Sequence, residues 1–345
     1  MFTQLTDTQA KNAINTEQLY SLYREALIKS LSYRGGMSWK TVNGTDYLYR
    51  LRDRKGNAKS LGPRSESTED IYRTFVAGRQ ETQQRLASLK VKLDEQARLN
   101  KALRIARCPR IVAEIARTLD LAGLMGKGVE IIGTNAMYAY EAMAGVFVLQ
   151  ETLETNDVDI LFDSRSKISL LAPEENLSDE GILGLLKNVD PSFSIVESSN
   201  YRAANKDGFL VDLIRQTPNP PWVNAPSGLG ENDLVATDIW NMKWLLSMPK
   251  VSQTVIGQDG YPFLMSVPDP RAFALFKYWL SNSDERNPKK KERDRHQSVV
   301  VRDLIANFLP QYPFASDQLK AFPADTVERF LSDQDGQDAA TQPAP

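Results

Sequence analysis

The apolar positions along the chain first follow a helical period. Leu19, Tyr23, Leu27 and Leu31 recur at helical spacing, which predicts an amphipathic helix over residues 16–31. Similar patterns predict the remaining helices, in chain order: a long polar helix from a Ser67–Asp70 capping box to about residue 104, then 109–125, "AMYAYEAMA" (136–144), "PDPRAFALFKYWLSNS" (268–283) and "PKKKERDRHQSVVVRDLIANFL" (288–309).

Short β-prone runs lie between these helices. The pair Asn43-Gly44 separates two β-prone runs, and Lys55-Gly56-Asn57 marks a second turn. These signals predict a three-stranded meander over residues 36–62. Further strands are predicted in three stretches: "VEII" (129–132), "NDVDILFD" (156–163) and "FSIVESSNYRAANKDGFLVDLIRQ" (193–216). The mixture of elements predicts an α/β (α+β) fold.

Changes in composition predict how the chain is organised. The Pro-rich stretch "TPNPPWVNAPSG" (217–228) indicates a boundary, and the polar "SDQDGQDAATQPAP" predicts a disordered tail. The predicted segments are a helix and basic β-meander (1–65), long helices (66–125), an α/β core (126–218), a C-terminal helical domain (219–331) and the tail (332–345).

Composition and charge restrict the available chemistry. The net charge of -2 over 345 residues argues against a general polyanion binder. The single cysteine, Cys108, excludes an intramolecular disulfide and a Cys-x-x-Cys zinc site. With one histidine, His296, any His-ligated metal site or Ser-His-Asp triad would depend on that residue alone. Chemistry is therefore expected to rest on carboxylates.

The beginning of the chain lacks the pattern of a secretion signal. It has neither the basic start nor the apolar core of a signal peptide, and no run approaches the roughly 18 apolar residues of a membrane span. Together with the cysteine content, these features predict a cytoplasmic protein of bacterial type.

The predicted meander is locally basic. Residues 34–64 contain eight Lys or Arg against two Asp, with Trp39, Tyr47 and Tyr49 among them. Such a sheet could follow phosphates and stack bases, which favours a nucleic-acid acceptor. In the alternative interpretation, the aromatic side chains pack inward on the flanking helices.

Two aspartates lie one residue apart on the predicted strand 156–163. Alternate side chains on a strand share a face, so Asp157 and Asp159 point the same way, with Cα atoms about 6.6 Å apart. Two such charges about 4 Å apart repel by on the order of 4 kcal/mol at an effective dielectric near 20, and a divalent cation would relieve that repulsion.

Two other classes with an Asp-x-Asp pair fit less well. In haloacid-dehalogenase-type phosphatases the apolar strand precedes the first Asp, whereas here Ile160, Leu161 and Phe162 follow the pair. An EF-hand loop needs further oxygen ligands and a Gly nearby, which "DVDILF" does not supply.

A Gly-Thr pair lies between "VEII" and the helix predicted at 136–144. Gly133 allows a tight turn, and Thr134 with Asn135 can cap that helix. Unpaired N–H groups, the positive end of the helix dipole and the Thr134 hydroxyl would together hold a triphosphate. Asp157 and Asp159 would then hold the Mg²⁺ that bridges it.

A third carboxylate lies in the predicted strand "GFLVDLIRQ". Asp212 is flanked by apolar residues on both sides, where an unpaired charge is costly. Sharing of a metal or a proton would explain its position. Hydrogen bonds to backbone amides, or an ion pair with Arg215 or another cation, would explain it as well.

The order of these motifs resembles the DNA polymerase beta-like nucleotidyltransferase superfamily: a strand, a Gly-Ser or here Gly-Thr turn, an acidic pair and a third acid on a later strand. "SLGPRS", "GTNAMYAYEAMAGV", "NDVDILFD", "VDLI" and "PDPRAFALFKYWLS" look more closely like the prokaryotic nucleotidyltransferase-fold protein family, over roughly residues 20–310. The resemblance implies these site residues: Gly133, Thr134, Asn135 and Lys277 at the nucleotide, and Asp157, Asp159 and Asp212 as metal ligands and catalytic acids.

The resemblance also implies a reaction. A nucleoside monophosphate would move from an NTP to an acceptor hydroxyl, with two Mg²⁺ ions aligning the attack and Asp212 assisting deprotonation of the acceptor. RNA, tRNA especially, a protein hydroxyl and a small molecule all fit as acceptors, and the basic meander favours nucleic acid. The alternative is a catalytically silent binding module, for example in a toxin–antitoxin or defence system, that kept the fold and lost turnover.

Overall fold

The computed structural model describes residues 2–51, 57–164, 180–220, 232–315 and 318–340. Its helices are α1 (Asp7–Leu31), α2 (Glu66–Ala102), α3 (Arg110–Leu121), α4 (Met137–Ala144), α5 (Gln150–Leu153), α6 (Gly181–Val189), α7 (Lys243–Ser247), α8 (Pro270–Asn282), α9 (Pro288–Phe308) and α10 (Ala324–Ala340). Its strands are β1 (Phe2–Gln4), β2 (Gly36–Val42), β3 (Thr45–Leu51), β4 (Ala58–Pro63), β5 (Val129–Ile132), β6 (Val146–Val148), β7 (Asp157–Phe162), β8 (Ser194–Val196), β9 (Ser199–Ala204), β10 (Leu210–Gln216), β11 (Thr237–Ile239), β12 (Val251–Ile256) and β13 (Pro262–Val267). The mixed α and β content confirms the predicted fold class.

The chain divides into two compact units. Unit 1 comprises Met1–Ala10, Arg107–Gln258 and Phe263–Pro345, and unit 2 comprises Lys11–Ala106 and Asp259–Pro262. The predicted boundaries near residues 66, 126 and 219 do not coincide with this division. The predicted α/β core and the helices after it fall in one unit, and the whole of the long helix α2 falls with the meander.

Unit 2 contains the predicted meander as the antiparallel sheet β2–β3–β4. Asn43 (φ 49) and Gly44 (φ 78) both adopt positive φ between the paired residues Val42 and Thr45, as a two-residue hairpin turn of this type requires. The hairpin prediction is therefore confirmed. Of the second predicted turn, Lys55 and Gly56 lie outside the described residues.

The long helix α2 begins one half-turn earlier than its sequence signal indicated. The predicted Ser67–Asp70 capping box is wrong, because the Ser65 side chain accepts from the Thr68 N–H and the Thr68 side chain accepts from the Ser65 N–H. This reciprocal pair satisfies two of the backbone donors that have no partner within the helix.

Two aromatic residues of the meander, Trp39 and Tyr49, lie against neighbouring side chains. The Trp39 ring centroid lies 6.0 Å from that of Tyr72 on α2, and the Arg64 guanidinium lies 5.2 Å from the Trp39 ring. Lys40 lies 5.3 Å from the Tyr49 ring. For Trp39 the inward-packing interpretation therefore holds.

Unit 1 is built around a sheet of strand order β5–β7–β10–β9–β8, with β11 also paired to β10. β7 and β10 are parallel, whereas β5 and β9 run antiparallel to them. Their apolar side chains are buried, for example Val158, Ile160, Val211 and Leu213 at 0% exposure. Burial of these side chains holds the strands in one register, because a slip by one residue would expose them.

The C-terminal part of the chain is less purely helical than predicted. β12 and β13 pair as a two-stranded ribbon and β11 joins the main sheet, all within the predicted helical domain 219–331. The β-branched run at 254–256 carries the strand signal for β12. Helix α10 continues to Ala340, into the segment predicted to be a disordered tail, and its buried Val327 and Phe330 attach it to the core.

Within the described ranges, none of the helices combines the length and the apolar character needed to cross a bilayer.

Candidate active site

The pairing of β7 with β10 brings two of the predicted carboxylates side by side. In the parallel register Asp159 lies directly opposite Asp212, and Asp157 begins the same strand as Asp159. All three line one cavity of about 390 Å³, a volume in the range of small-molecule sites. Residues separated by more than fifty positions therefore meet, as the sequence predicted.

The Gly-Thr turn closes one side of this cavity. β5 ends at Ile132 opposite Asp159, and Gly133 then takes a positive φ of 66°, which favours glycine. A Cβ at position 133 would collide with the Asp159 carboxylate. Gly133 is thus needed for backbone conformation and for space, and Thr134 lines the cavity beside it.

The predicted capping of the next helix by Thr134 and Asn135 is wrong. Residues Gly133–Ala136 form a 3-10 turn, and neither this turn nor α4, which starts at Met137, has a side-chain cap. The Asn135 side chain is buried and donates to the Asp157 carbonyl at 2.7 Å. Asn135 therefore supports the start of β7 from behind the cavity.

Arg202 is the cation that accompanies Asp212. It lies opposite Asp212 on β9, and its Nε and Nη2 each donate to one carboxylate oxygen at 2.6 Å. Arg215, the partner named from sequence, instead pairs with Asp238. Arg202 was missed from sequence because its position opposite Asp212 depends on the register of the β9–β10 hairpin around Lys206-Asp207-Gly208.

The surroundings of Asp159 disfavour its ionised form. Burial raises the pKa of Asp159 from its ordinary 3.8 to about 6, and the charges of Asp157 and Asp212 act in the same direction. The Thr155 hydroxyl donates a short hydrogen bond to Asp157. Crowded like charges of this kind favour either a proton or a cation between them.

Lys277 faces the same cavity but is not a solvated side chain. It is 8% exposed, and its Nζ lies 2.6 Å from Asp294 of α9, which also binds Arg286 at 2.7 Å. Burial lowers the pKa of Lys277, and the Asp294 carboxylate opposes that shift. The pair Lys277–Asp294 thus ties α8 to α9 beside the three carboxylates, and Asp294 was missed from sequence.

The donor set suits a cation that is shared with a ligand. Among the described residues no group of three Asp, Glu, His or Cys side chains could hold a metal ion unaided. Arg202 already contacts both oxygens of Asp212, which leaves Asp157 and Asp159 as the described carboxylates of the cavity without such an arginine partner. Mg²⁺ typically binds one or two carboxylates together with substrate phosphates, so these residues fit it in that mode.

A second concavity, of about 680 Å³, lies in unit 2. Glu66 and Asp70 are in its described lining, which contains no Lys or Arg. A triphosphate would meet only negative charge there. The cavity of unit 1 is therefore the better candidate for a nucleotide.

We expect Lys277→Met to destabilise the protein. The change leaves Asp294 buried with Arg286 as its remaining cation, and removing one member of a buried ion pair costs about 3 kcal/mol of unfolding free energy. Urea unfolding measures this loss. Lys290→Met, at an exposed lysine of the same cavity, should change stability by less than about 0.5 kcal/mol. Equal effects of the two changes would contradict the buried-pair geometry.

We expect Asp159 to make stability depend on pH. In the native state Asp159 keeps its proton up to about pH 6, whereas in the unfolded chain it releases the proton near pH 4. The free energy of unfolding therefore falls as pH rises between these values. Without divalent ions, wild type should lose about 2.4 kcal/mol relative to Asp159→Asn between about pH 4 and pH 7. Urea unfolding across that range measures the difference, and parallel pH curves would refute it.

Comparison with known proteins agrees with this geometry. A family model described as "Nucleotidyltransferase" matches residues 110–323, which is more than half of the chain and includes every element that lines the cavity. Comparison with curated proteins and with solved structures gave no match. The chain belongs to the nucleotidyltransferase family.

Proposed function

We propose that the protein is a metal-dependent nucleotidyltransferase with a polymerase beta-like core, which moves a nucleoside monophosphate from an NTP to an acceptor hydroxyl. The observation that carries this proposal is the β7–β10 register, which places Asp159 opposite Asp212 in a cavity that Gly133 and Thr134 close. Family membership supports transfer of a nucleotidyl group in general.

Each side of the cavity has a separate task in this proposal. Asp157 and Asp159 hold the nucleotide's Mg²⁺, which supplies neutralisation of charge at the phosphates. The Thr134 hydroxyl donates to a phosphate oxygen, and Lys277 and Lys290 add positive charge at the same wall. Burial of Lys277 strengthens its contribution.

Asp212 has the role of proton acceptor. Its 7% exposure and its two hydrogen bonds from Arg202 hold the carboxylate in one orientation. Each carboxylate oxygen has a second lone pair, so Asp212 can accept from a hydroxyl or share a second Mg²⁺ while Arg202 stays in place. The acceptor hydroxyl therefore approaches from the Asp212 side.

Asp212→Asn tests the catalytic role. We expect transfer of label from α-labelled NTPs with Mg²⁺ and cellular RNA to fall at least about a hundredfold, the lower end for loss of a general base. NTP binding, measured by calorimetry, should persist because Asp157, Asp159 and Thr134 are unchanged.

Asp238→Asn is the matched control. This change also removes a carboxylate that pairs with an arginine of the same sheet, here Arg215. Asp238, however, does not line the cavity. This variant should keep wild-type transfer. If wild type binds NTP and labels no RNA, protein or small-molecule acceptor, the silent binding module becomes the better interpretation.

For the acceptor we propose nucleic acid, bound through the sheet of unit 2. Lys40 and Lys59 are exposed on β2 and β4, while Arg64 is already paired with Asp46 and Glu69. Of the eight cations counted in residues 34–64, Arg52, Arg54 and Lys55 lie outside the described residues.

Reversal of two charges tests this acceptor. In Lys40→Glu/Lys59→Glu we expect weaker RNA binding and a salt dependence whose slope falls by roughly 1.4, because each phosphate contact releases about 0.7 counterion on a single strand. Lys90→Glu/Lys101→Glu on α2 is the control with the same net charge. Equal losses in the two proteins would mean that the sheet is not the binding surface.

A further inference from the structure

Gln297 lies directly behind the Thr134 hydroxyl. It is 0% exposed on α9, and its side-chain Nε2 donates to Thr134 Oγ1 at 3.0 Å and to the Thr152 carbonyl oxygen at 3.2 Å. Its Oε1 is buried and has no hydrogen-bond partner among the described residues. An amide with one unused polar atom is a costly group to bury.

The orientation of this amide follows from its partners. The Thr152 oxygen is a backbone carbonyl and can only accept, so the atom of Gln297 that faces it has to be the –NH₂ group. The second hydrogen of the same –NH₂ points to Thr134 Oγ1, which therefore acts as an acceptor. A flipped amide would set two acceptors, Oε1 and the carbonyl, against each other.

The direction of that bond decides what the Thr134 hydroxyl can do. Because Oγ1 accepts from Gln297, its own hydrogen remains to be donated elsewhere, and no acceptor for it occurs in the described part of the chain. Thr134 lines the cavity, whereas Gln297 does not. The Thr134 hydroxyl can thus donate its hydrogen to a ligand that offers an acceptor, such as a phosphate oxygen.

We propose that Gln297 is a positioning residue that fixes the Thr134 hydroxyl as a hydrogen-bond donor to a phosphate of the nucleotide. The inference rests on the proposed function, since it needs a nucleotide in this cavity. It adds a residue from α9, far along the chain from the Gly-Thr turn, to the phosphate site. An apolar side chain of similar size would avoid the cost of the unpaired Oε1. The positioning role explains why a polar amide occupies this buried position instead.

A double-mutant cycle tests the coupling. Thr134→Val, Gln297→Met and the double variant are titrated by calorimetry with each NTP in Mg²⁺ and with the matching nucleosides. We expect Thr134→Val to weaken NTP binding about tenfold, as for loss of one hydrogen bond to a charged group. Gln297→Met should weaken it several-fold alone and cause no further loss in the Thr134→Val background. Nucleoside binding should not change.

Three comparisons make the result decisive. Ser298 is next to Gln297 on α9, and its hydroxyl donates a buried hydrogen bond to the Ala274 carbonyl of α8. Ser298→Ala removes that bond and should leave NTP affinity at the wild-type value. Thr134→Ser keeps the hydroxyl and should retain most of the affinity. Gln297→Glu keeps the shape but offers only acceptors when ionised, so it should weaken NTP binding at pH 8 even if Gln297→Met does not fold.

The outcomes separate the two proposals. Additive losses in the cycle, equal losses for NTP and nucleoside, or wild-type affinity in Gln297→Glu would each overturn the role of Gln297 while leaving the proposed function intact. Absence of NTP binding by wild type itself would overturn the proposed function and, with it, this inference.

Discussion

The parallel pairing of β7 with β10 is the constraint on which the site depends. It sets Asp159 beside Asp212 at one end of a sheet whose next residues are fully buried, and Asp157 joins them from the same strand. Like charges held this close in a partly buried cavity would push the strands apart or take up protons. Much of the surrounding structure is arranged to prevent the first outcome.

Side chains on neighbouring elements offset the repulsion between the three carboxylates. Arg202 on β9 forms the two-bond ion pair with Asp212, and Thr155 donates to Asp157. Gly133 leaves room for the Asp159 carboxylate where any side chain would collide with it. Burial, together with the remaining repulsion from Asp157 and Asp212, raises the pKa of Asp159, and an added cation would relieve that repulsion.

The sequence predicted the parts of the site that depend on local pattern. The strand that carries Asp157 and Asp159, the strand of Asp212 and the turn at Gly133 follow from periodicity and from glycine, and all lie where expected. The partners Arg202, Asp294 and Gln297 could not be predicted in this way. Arg202 depends on the register of the β9–β10 hairpin. Asp294 and Gln297 reach the site through packing between distant segments, which no local pattern encodes.

The errors have the same origin. Asn135 looked like a helix cap because Asn is common there, but a 3-10 turn moved the helix start to Met137 and turned Asn135 toward the backbone of β7. Strand β11 was missed because it is only three residues long and is stabilised by pairing with β10. Strands β12 and β13 were missed because, in the described part of the chain, they pair only with each other inside a region predicted to be helical, although the β-branched run at 254–256 carries a strand signal. Tertiary context decided these cases.

The energetics of the cavity favour a ligand-binding site over a purely structural cluster of charges. Replacing buried ion pairs with apolar side chains is often neutral or stabilising, so a fold that needed only to bind a partner would lose little by discarding Asp157, Asp159 and Asp212. The chain instead retains all three, together with Arg202, Lys277 and a buried Gln297 whose Oε1 has no partner among the described residues. Costly polar groups line or lie behind one cavity, next to the turn at Gly133. Such a concentration of unfavourable terms at a single place is typical of a site where the ligand completes the electrostatics.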